Sequence, residues 1–226
     1  MREALQRLTA ADGPARVNLT DQDAKLLRTR HGYVTGYNVQ AMASPLHGVS
    51  GQIITAADVT PRVNDAHELL PMMEQAERNS GVAAEVTLAD AGYHSGANLG
   101  ACAEQGRTVA IPDQQQAWLS RPYHKEQFAY DDTRDSYTCP AGQTLRFFST
   151  KRDRSSGQVR RYRAADGVCA ACPAFGACTR DRRNGRTIQA GPHDRVLRAH
   201  RAWQASEEAR RLSSIRRWLI EPVFSV

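Results

Sequence analysis

No stretch of the 226-residue sequence approaches the roughly 20 consecutive apolar residues that a membrane-spanning helix needs. The opening residues, Met1-Arg2-Glu3-Ala4-Leu5-Gln6-Arg7, carry no apolar run, so no secretory leader is expected. Internal repeats and low-complexity tracts are also missing, which excludes solenoid and linker architectures. Cysteine is scarce, at five residues. The expected compartment is the cytoplasm, where thiols stay reduced, so these cysteines point to metal or packing before disulfides. Acid is in deficit: 30 Lys and Arg stand against 24 Asp and Glu, a formal charge of +6. Most of the basic excess is Arg, whose forked guanidinium fits phosphate. Nucleic acid is therefore an expected partner, beside the plainer reading of a soluble basic protein. With 41% hydrophobic and 24% charged residues the chain can build a core, and its length suits one large domain or one domain with an insert.

The pattern along the chain is α/β. Residues 1–16 read as a loose polar lead-in. Residues 32–43 and 52–59 read as strands separated by Pro45, Gly48 and Gly51. Asn64 opens a helix whose inner face carries Ala66, Leu69, Leu70, Met73 and Ala76, and Gly81 ends it. A short strand over 85–90, a helix from Ser95 to Gln105 and a strand over 107–111 follow, and this alternation indicates an α/β domain. Composition changes after Pro112. Residues 113–190 hold four of the cysteines and little helical periodicity, and between Cys139 and Arg186 eleven Lys/Arg face three Asp/Glu. This segment reads as an inserted basic module. The core then comprises 17–112 and 191–226. Its last helix is capped by Ser206, with Glu207 and Glu208 in the first turn and an apolar stripe of Leu212, Ile215 and Leu219.

Asp90 ends a buried-looking strand, where α/β sheets place their ligands, and Gly92 permits a sharp turn after it. A hard cation takes such an oxygen; the alternative is a carboxylate capping the next helix. Arg217 and Glu221, four apart, share a helix face, and a surface ion pair is the simplest account of them. Pro222 disfavours helix at the preceding residue, so Glu221 is expected at a helix end or kink. Cys169 and Cys172 form a two-spaced pair, Cys178 follows, and Cys139 lies upstream beside Pro140. Four thiolates could close a tetrahedral structural Zn²⁺ site; reduced, half-buried thiols and disulfides are the alternatives. Arg146, Lys151, Arg152, Arg154, Arg160, Arg161 and Arg163 interleave with Phe147, Phe148 and Tyr162, a mixture suited to a DNA backbone or, more plainly, to a solvated hairpin. Among the seven scattered histidines, His94 alone stands near Asp90.

Five runs occur in order: Asn18-Leu19-Thr20-Asp21-Gln22-Asp23-Ala24, Gly36-Tyr37-Asn38-Val39-Gln40, Ala89-Asp90-Ala91-Gly92-Tyr93-His94-Ser95, Cys139-Pro140-Ala141-Gly142, and Arg217-Trp218-Leu219-Ile220-Glu221-Pro222-Val223-Phe224. Together they resemble the bacterial insertion-sequence transposases of the DDE type, from about residue 17 onward. The resemblance implies an RNase H-like mixed sheet flanked by helices, with the Cys-rich basic insert placed before the last catalytic acid. It implies DNA transposition, with transposon ends and target DNA as partners, no membrane, and a homodimer left open. It makes Asp90 the second acid and Glu221 the third, holding Mg²⁺ or Mn²⁺, with Arg217, Tyr93 and His94 in support. Two metal ions clamped by three carboxylates activate the attacking oxygen and stabilise the leaving one. The sequence departs from that pattern in three ways. No strand-borne Asp precedes residue 17, Ser214 stands where a Tyr is usual, and no basic residue follows Glu221. The expectation is a chain cut at both ends and weakly active or inactive by itself. The alternative is a zinc-stabilised DNA-binding remnant without catalysis.

Overall fold

The structure is a computed structural model and describes residues 2–9, 17–29, 31–48, 50–113, 116–153 and 157–224. It divides into two compact units, Met1–Pro112 with Trp203–Val226, and Asp113–Ala202.

In the first unit the lead-in contains a short helix, α1 (Arg2–Thr9), and Arg7 Nη1 pairs with Asp23 Oδ1 at 2.9 Å. Two antiparallel hairpins follow: β1 (Lys25–Thr29) with β2 (Gly32–Gly36), and β3 (Asn38–Pro45) with β4 (Gln52–Thr60). The single strand expected over 32–43 is thus divided at Tyr37, because its two halves pair with different partners. The helix expected from Asn64 begins as a 3₁₀ turn over Asp65–Glu68 and becomes α2 (Leu69–Ser80), which buries Leu69, Met72 and Met73 against β3 and β4. Gly81 ends α2 at φ 76°, a left-handed conformation that costs glycine little. Next come β5 (Val86–Leu88), α3 (Gly96–Glu104) and β6 (Thr108–Ala110), with β5 and β6 parallel as a β–α–β unit requires. Among the described residues, the strands of this unit form three separate two-stranded sheets, not one continuous mixed sheet.

The second unit opens with one turn of helix, α4 (Gln116–Leu119). Its body is a five-stranded antiparallel sheet built from β7 (Ala129–Asp131), β8 (Ser136–Thr138), β9 (Thr144–Asp153), β10 (Gly157–Arg163) and β11 (Thr187–Ala190), in the order β11-β10-β9-β8-β7. Its core is small and aromatic: Phe128, Tyr137, Leu145, Tyr162 and Ile188 are each 3% exposed or less. Tyr137 and Tyr162 meet edge-on at 5.0 Å between centroids, a geometry favoured by the ring quadrupoles. The first helix after the sheet, α5 (Asp194–Gln204), starts at Asp194. That carboxylate is 8% exposed and accepts bonds from Tyr137 Oη at 2.8 Å, from Lys125 Nζ and from Arg198 Nη1. Arg201 bonds Asp113 at 2.7 Å and Glu126 at 2.6 Å. The last described element is α6 (Glu207–Phe224), where Ser206 Oγ accepts from Ala209 N at 3.1 Å as the expected cap.

Candidate active site

Asp90 lies just past β5, in extended backbone, and is exposed. The ladder to β6 continues one residue beyond the strand through Ala89 N to Ala110 O at 3.1 Å, which fixes the chain as it leaves the sheet. Asp90 Oδ1 accepts from Gly92 N at 2.8 Å and caps the short 3₁₀ turn Ala91–Tyr93. Helix α3 is capped by Ser95 instead, whose Oγ accepts from Asn98 N at 3.1 Å. One oxygen of Asp90 thus does a structural task.

A second carboxylate stands beside it, one that sequence reasoning missed. Asp65 occupies the turn capped by Asn64. Its Oδ1 accepts from Gln40 Nε2 at 3.0 Å and from Asn38 Nδ2. A Cβ placed on Gly92 would lie 2.9 Å from Asp65 Oδ2 and 2.9 Å from Asp90 Oδ1, so the two carboxylates converge on one point that only a glycine leaves open. Asn98, 8% exposed, ties the two turns together: its Nδ2 donates to Ala66 O at 2.7 Å and to Tyr93 O at 2.8 Å. The Tyr93 hydroxyl donates to Gln40 Oε1. Burial pushes the Tyr93 phenol well above its usual range, and Asp65, Asp90 and Glu68 add to the effect. Tyr93 therefore stays a neutral donor at physiological pH. Glu68, itself buried, is paired with Arg62 at 3.1 Å. The one local signal for Asp65 was the Asn64-Asp65 pair before a helix, which reads equally well as capping.

Glu221 lies on α6. The helix runs through Pro222 to Phe224, so Glu221 stands in its last described turn. Glu221 pairs with Arg217 Nε at 3.6 Å, and both side chains are largely exposed. A cavity of about 1190 Å³ is lined by β3, by residues 82–90, and by Leu212, Ile215, Leu219, Ile220, Glu221 and Phe224 of α6. Asp65, Asp90 and Tyr93 also line it; Arg217 and His94 do not. The sequence-read apolar stripe of α6 thus faces this cavity. Among the described residues both β3 and β5 pair with a strand on one side only, and both border the same space. Among the described residues no group of three or more His, Cys, Asp or Glu side chains stands ready to hold a metal ion. The donors that do converge, the oxygens of Asp65 and Asp90, are the hard type that Mg²⁺ or Mn²⁺ takes.

In the second unit Cys139, Cys169, Cys172 and Cys178 line one small cavity of about 20 Å³. Burial pushes the Cys178 thiol up; Arg186 opposes the shift, and the three neighbouring cysteines reinforce it. Cys102 is buried separately, on α3.

Strands β9 and β10 carry the basic residues, and their pairing sorts these onto two faces. Arg146 is directly opposite Arg163, and Arg161 lies two positions along on the same face. The guanidiniums of Arg161 and Arg163 stack on Phe148 at 4.9 and 4.6 Å. Lys151, opposite Val159, shares that face. Arg160 points the other way, stacks on Phe147 at 4.3 Å and pairs with Asp135. Arg152, opposite Gln158, is on the Arg160 face. Arg154 lies outside the described residues.

No curated protein and no solved structure matches the chain at a significant level. The family model of the transposase DDE domain matches residues 138–226, a segment that contains the cysteines of the second unit, the basic strands, Arg217 and Glu221. Over that segment, the chain is similar to the DDE domain of transposases.

Proposed function

We propose that this chain is the core of a DNA-transposing enzyme, in which Asp90 and Glu221, joined by Asp65, hold Mg²⁺ or Mn²⁺ at an RNase H-like site. The observation that carries the reading is the convergence of Asp65 and Asp90 at Gly92, in a cavity that Glu221 of the family-matched segment also lines. A bound divalent ion would supply polarisation of the scissile phosphodiester and of the attacking water or 3′-hydroxyl. The protein's part is positioning. Asn98 fixes the Asp65 and Asp90 turns, Gln40 and Asn38 hold the Asp65 carboxylate, and Arg217 restrains Glu221. The Arg146–Lys151–Arg161–Arg163 face of β9 and β10 serves as the phosphate-contacting surface, with Phe148 available for stacking.

A second reading is a DNA-binding protein without catalysis. It is favoured by one observation: among the described residues no three side chains stand ready around an ion. Nicking of supercoiled plasmid by the purified chain in Mn²⁺ separates the two. The first reading expects nicking that falls about 100-fold or more in Asp90→Asn, Asp65→Asn and Glu221→Gln. DNA binding with no metal-dependent nicking, or nicking indifferent to all three substitutions, overturns it.

A further inference from the structure

The segment between β10 and β11, residues 164–186, has no helix or strand; one isolated bridge, Phe175 to Thr179, and a series of tight turns organise it. Loops longer than about 12–15 residues with no structure of their own are uncommon in compact units unless something ties them down. This one supplies three of the four cysteines that meet at a single cavity, and the fourth, Cys139, comes from the β8–β9 turn.

The local geometry holds two of these sulfurs in place. In the β8–β9 turn, Cys139 N bonds Gln143 O at 2.9 Å and Gly142 N bonds Cys139 O at 2.8 Å. Gly142 takes φ 77°, and this brings Gln143 N to within 3.3 Å of Cys139 Sγ, with its hydrogen aimed at the sulfur. Cys169 has the same kind of partner, Arg186 N at 3.5 Å. Backbone N–H groups aimed at a sulfur orient it, as outer hydrogen bonds orient metal ligands. Gly185 makes the second contact possible: its φ is 66°, and an added Cβ would lie 2.7 Å from both Cys169 Cβ and Sγ. The cavity, at about 20 Å³, has room for one water-sized body. Cys139, Cys169 and Cys178 pack against the Phe128–Tyr137–Leu145–Tyr162–Ile188 core, so a cross-link here would fasten the loop to the sheet.

We infer that Cys139, Cys169, Cys172 and Cys178 form a structural zinc site that pins residues 164–186 to the β8–β9 turn. The thiols are gathered but not yet in coordinating array, since among the described residues no group of three stands ready for an ion. A zinc ion bound at the 20 Å³ space would be held by the four sulfurs as thiolates, their protons passing to solvent. Four thiolates and one Zn²⁺ carry a net charge of −2, and Arg186 lines the same cavity to offset it. The inference stands apart from catalysis, and its test does not read DNA cleavage.

The full chain, expressed with zinc and purified without chelator, is assayed for metal by elemental mass spectrometry. One zinc per chain is expected, displaced stoichiometrically by a mercurial thiol reagent. Co²⁺ in its place should give the intense visible absorption of tetrahedral thiolate coordination. Cys172→Ser and Cys178→Ser should each lower the content towards none, while Cys102→Ala keeps one zinc. Should the serine variants fail to fold, limited proteolysis of the wild-type chain decides: chelation should open cleavage within 164–186, and added zinc should restore protection. Absence of zinc and of the cobalt spectrum, disulfides among the four cysteines, or protection indifferent to chelator would each overturn the inference.

Discussion

Asn98 offers the sharpest test of how the candidate site is held. Its side-chain amide donates to both acid-bearing turns, at 2.7 Å to Ala66 O and 2.8 Å to Tyr93 O. Each such bond is worth about 0.5–1.5 kcal/mol net, so Asn98→Ala should cost about 1–3 kcal/mol. For a chain of this size that corresponds to a fall in Tm of about 2–12 °C. Asn98→Asp keeps the shape but replaces the donating N–H groups with an acceptor, so two carbonyls would face a carboxylate. It also adds negative charge near Asp65 and Asp90. Asn98→Asp should therefore cost more than Asn98→Ala, the reverse of what shape alone suggests. Chemical denaturation followed by circular dichroism gives the stabilities, and Mn²⁺ titration gives the site. If the strut is what holds Asp65 against Asp90, Mn²⁺ binding should weaken in both variants at temperatures where they remain folded. Stability of Asn98→Ala within about 0.3 kcal/mol of wild type, or an Asn98→Asp variant as stable as Asn98→Ala, would refute the reasoning.

Two further outcomes are expected. Asp194→Ala in the second unit strips the partner from Lys125, Arg198 and the buried Tyr137 hydroxyl, and should destabilise by about 3–5 kcal/mol in thermal or denaturant unfolding; a loss under about 1 kcal/mol would mean that water replaces the carboxylate readily. On the basic face, Arg161→Gln and Arg163→Gln should each weaken DNA binding across unrelated sequences and flatten the slope of log K against log salt by about 1, whereas Arg160→Gln, whose cation is held by Asp135 on the opposite face more closely than Arg163 is by the exposed Asp166 at 3.8 Å, should do less. Binding isotherms at several salt concentrations check this, and equal effects at all three positions would show that the two faces are not distinguished by DNA.

The amino-acid sequence by itself determined the local elements and the candidates with short-range signatures. Gly81 ends α2, Ser95 and Ser206 cap α3 and α6, and Asp90 follows β5, because caps and strand ends are written within a few residues. Cys169 and Cys172 declared themselves by spacing, and Glu221 by the run in which it sits. Only the tertiary structure decided what those residues meet. Asp65 reaches Asp90 because Asn98 ties their turns and because Gly92 leaves room, and neither fact has a periodicity to read. The strand expected over 32–43 became two because hydrogen-bond partners, not β-propensity, set where a strand ends. The arginines of β10 looked equivalent along the sequence, yet the pleat sends Arg160 to Asp135 and leaves Arg161 and Arg163 together on Phe148. Composition and capping act within a turn of chain, whereas a site is assembled from segments whose distance in sequence carries no local energy, so their meeting is settled by packing alone.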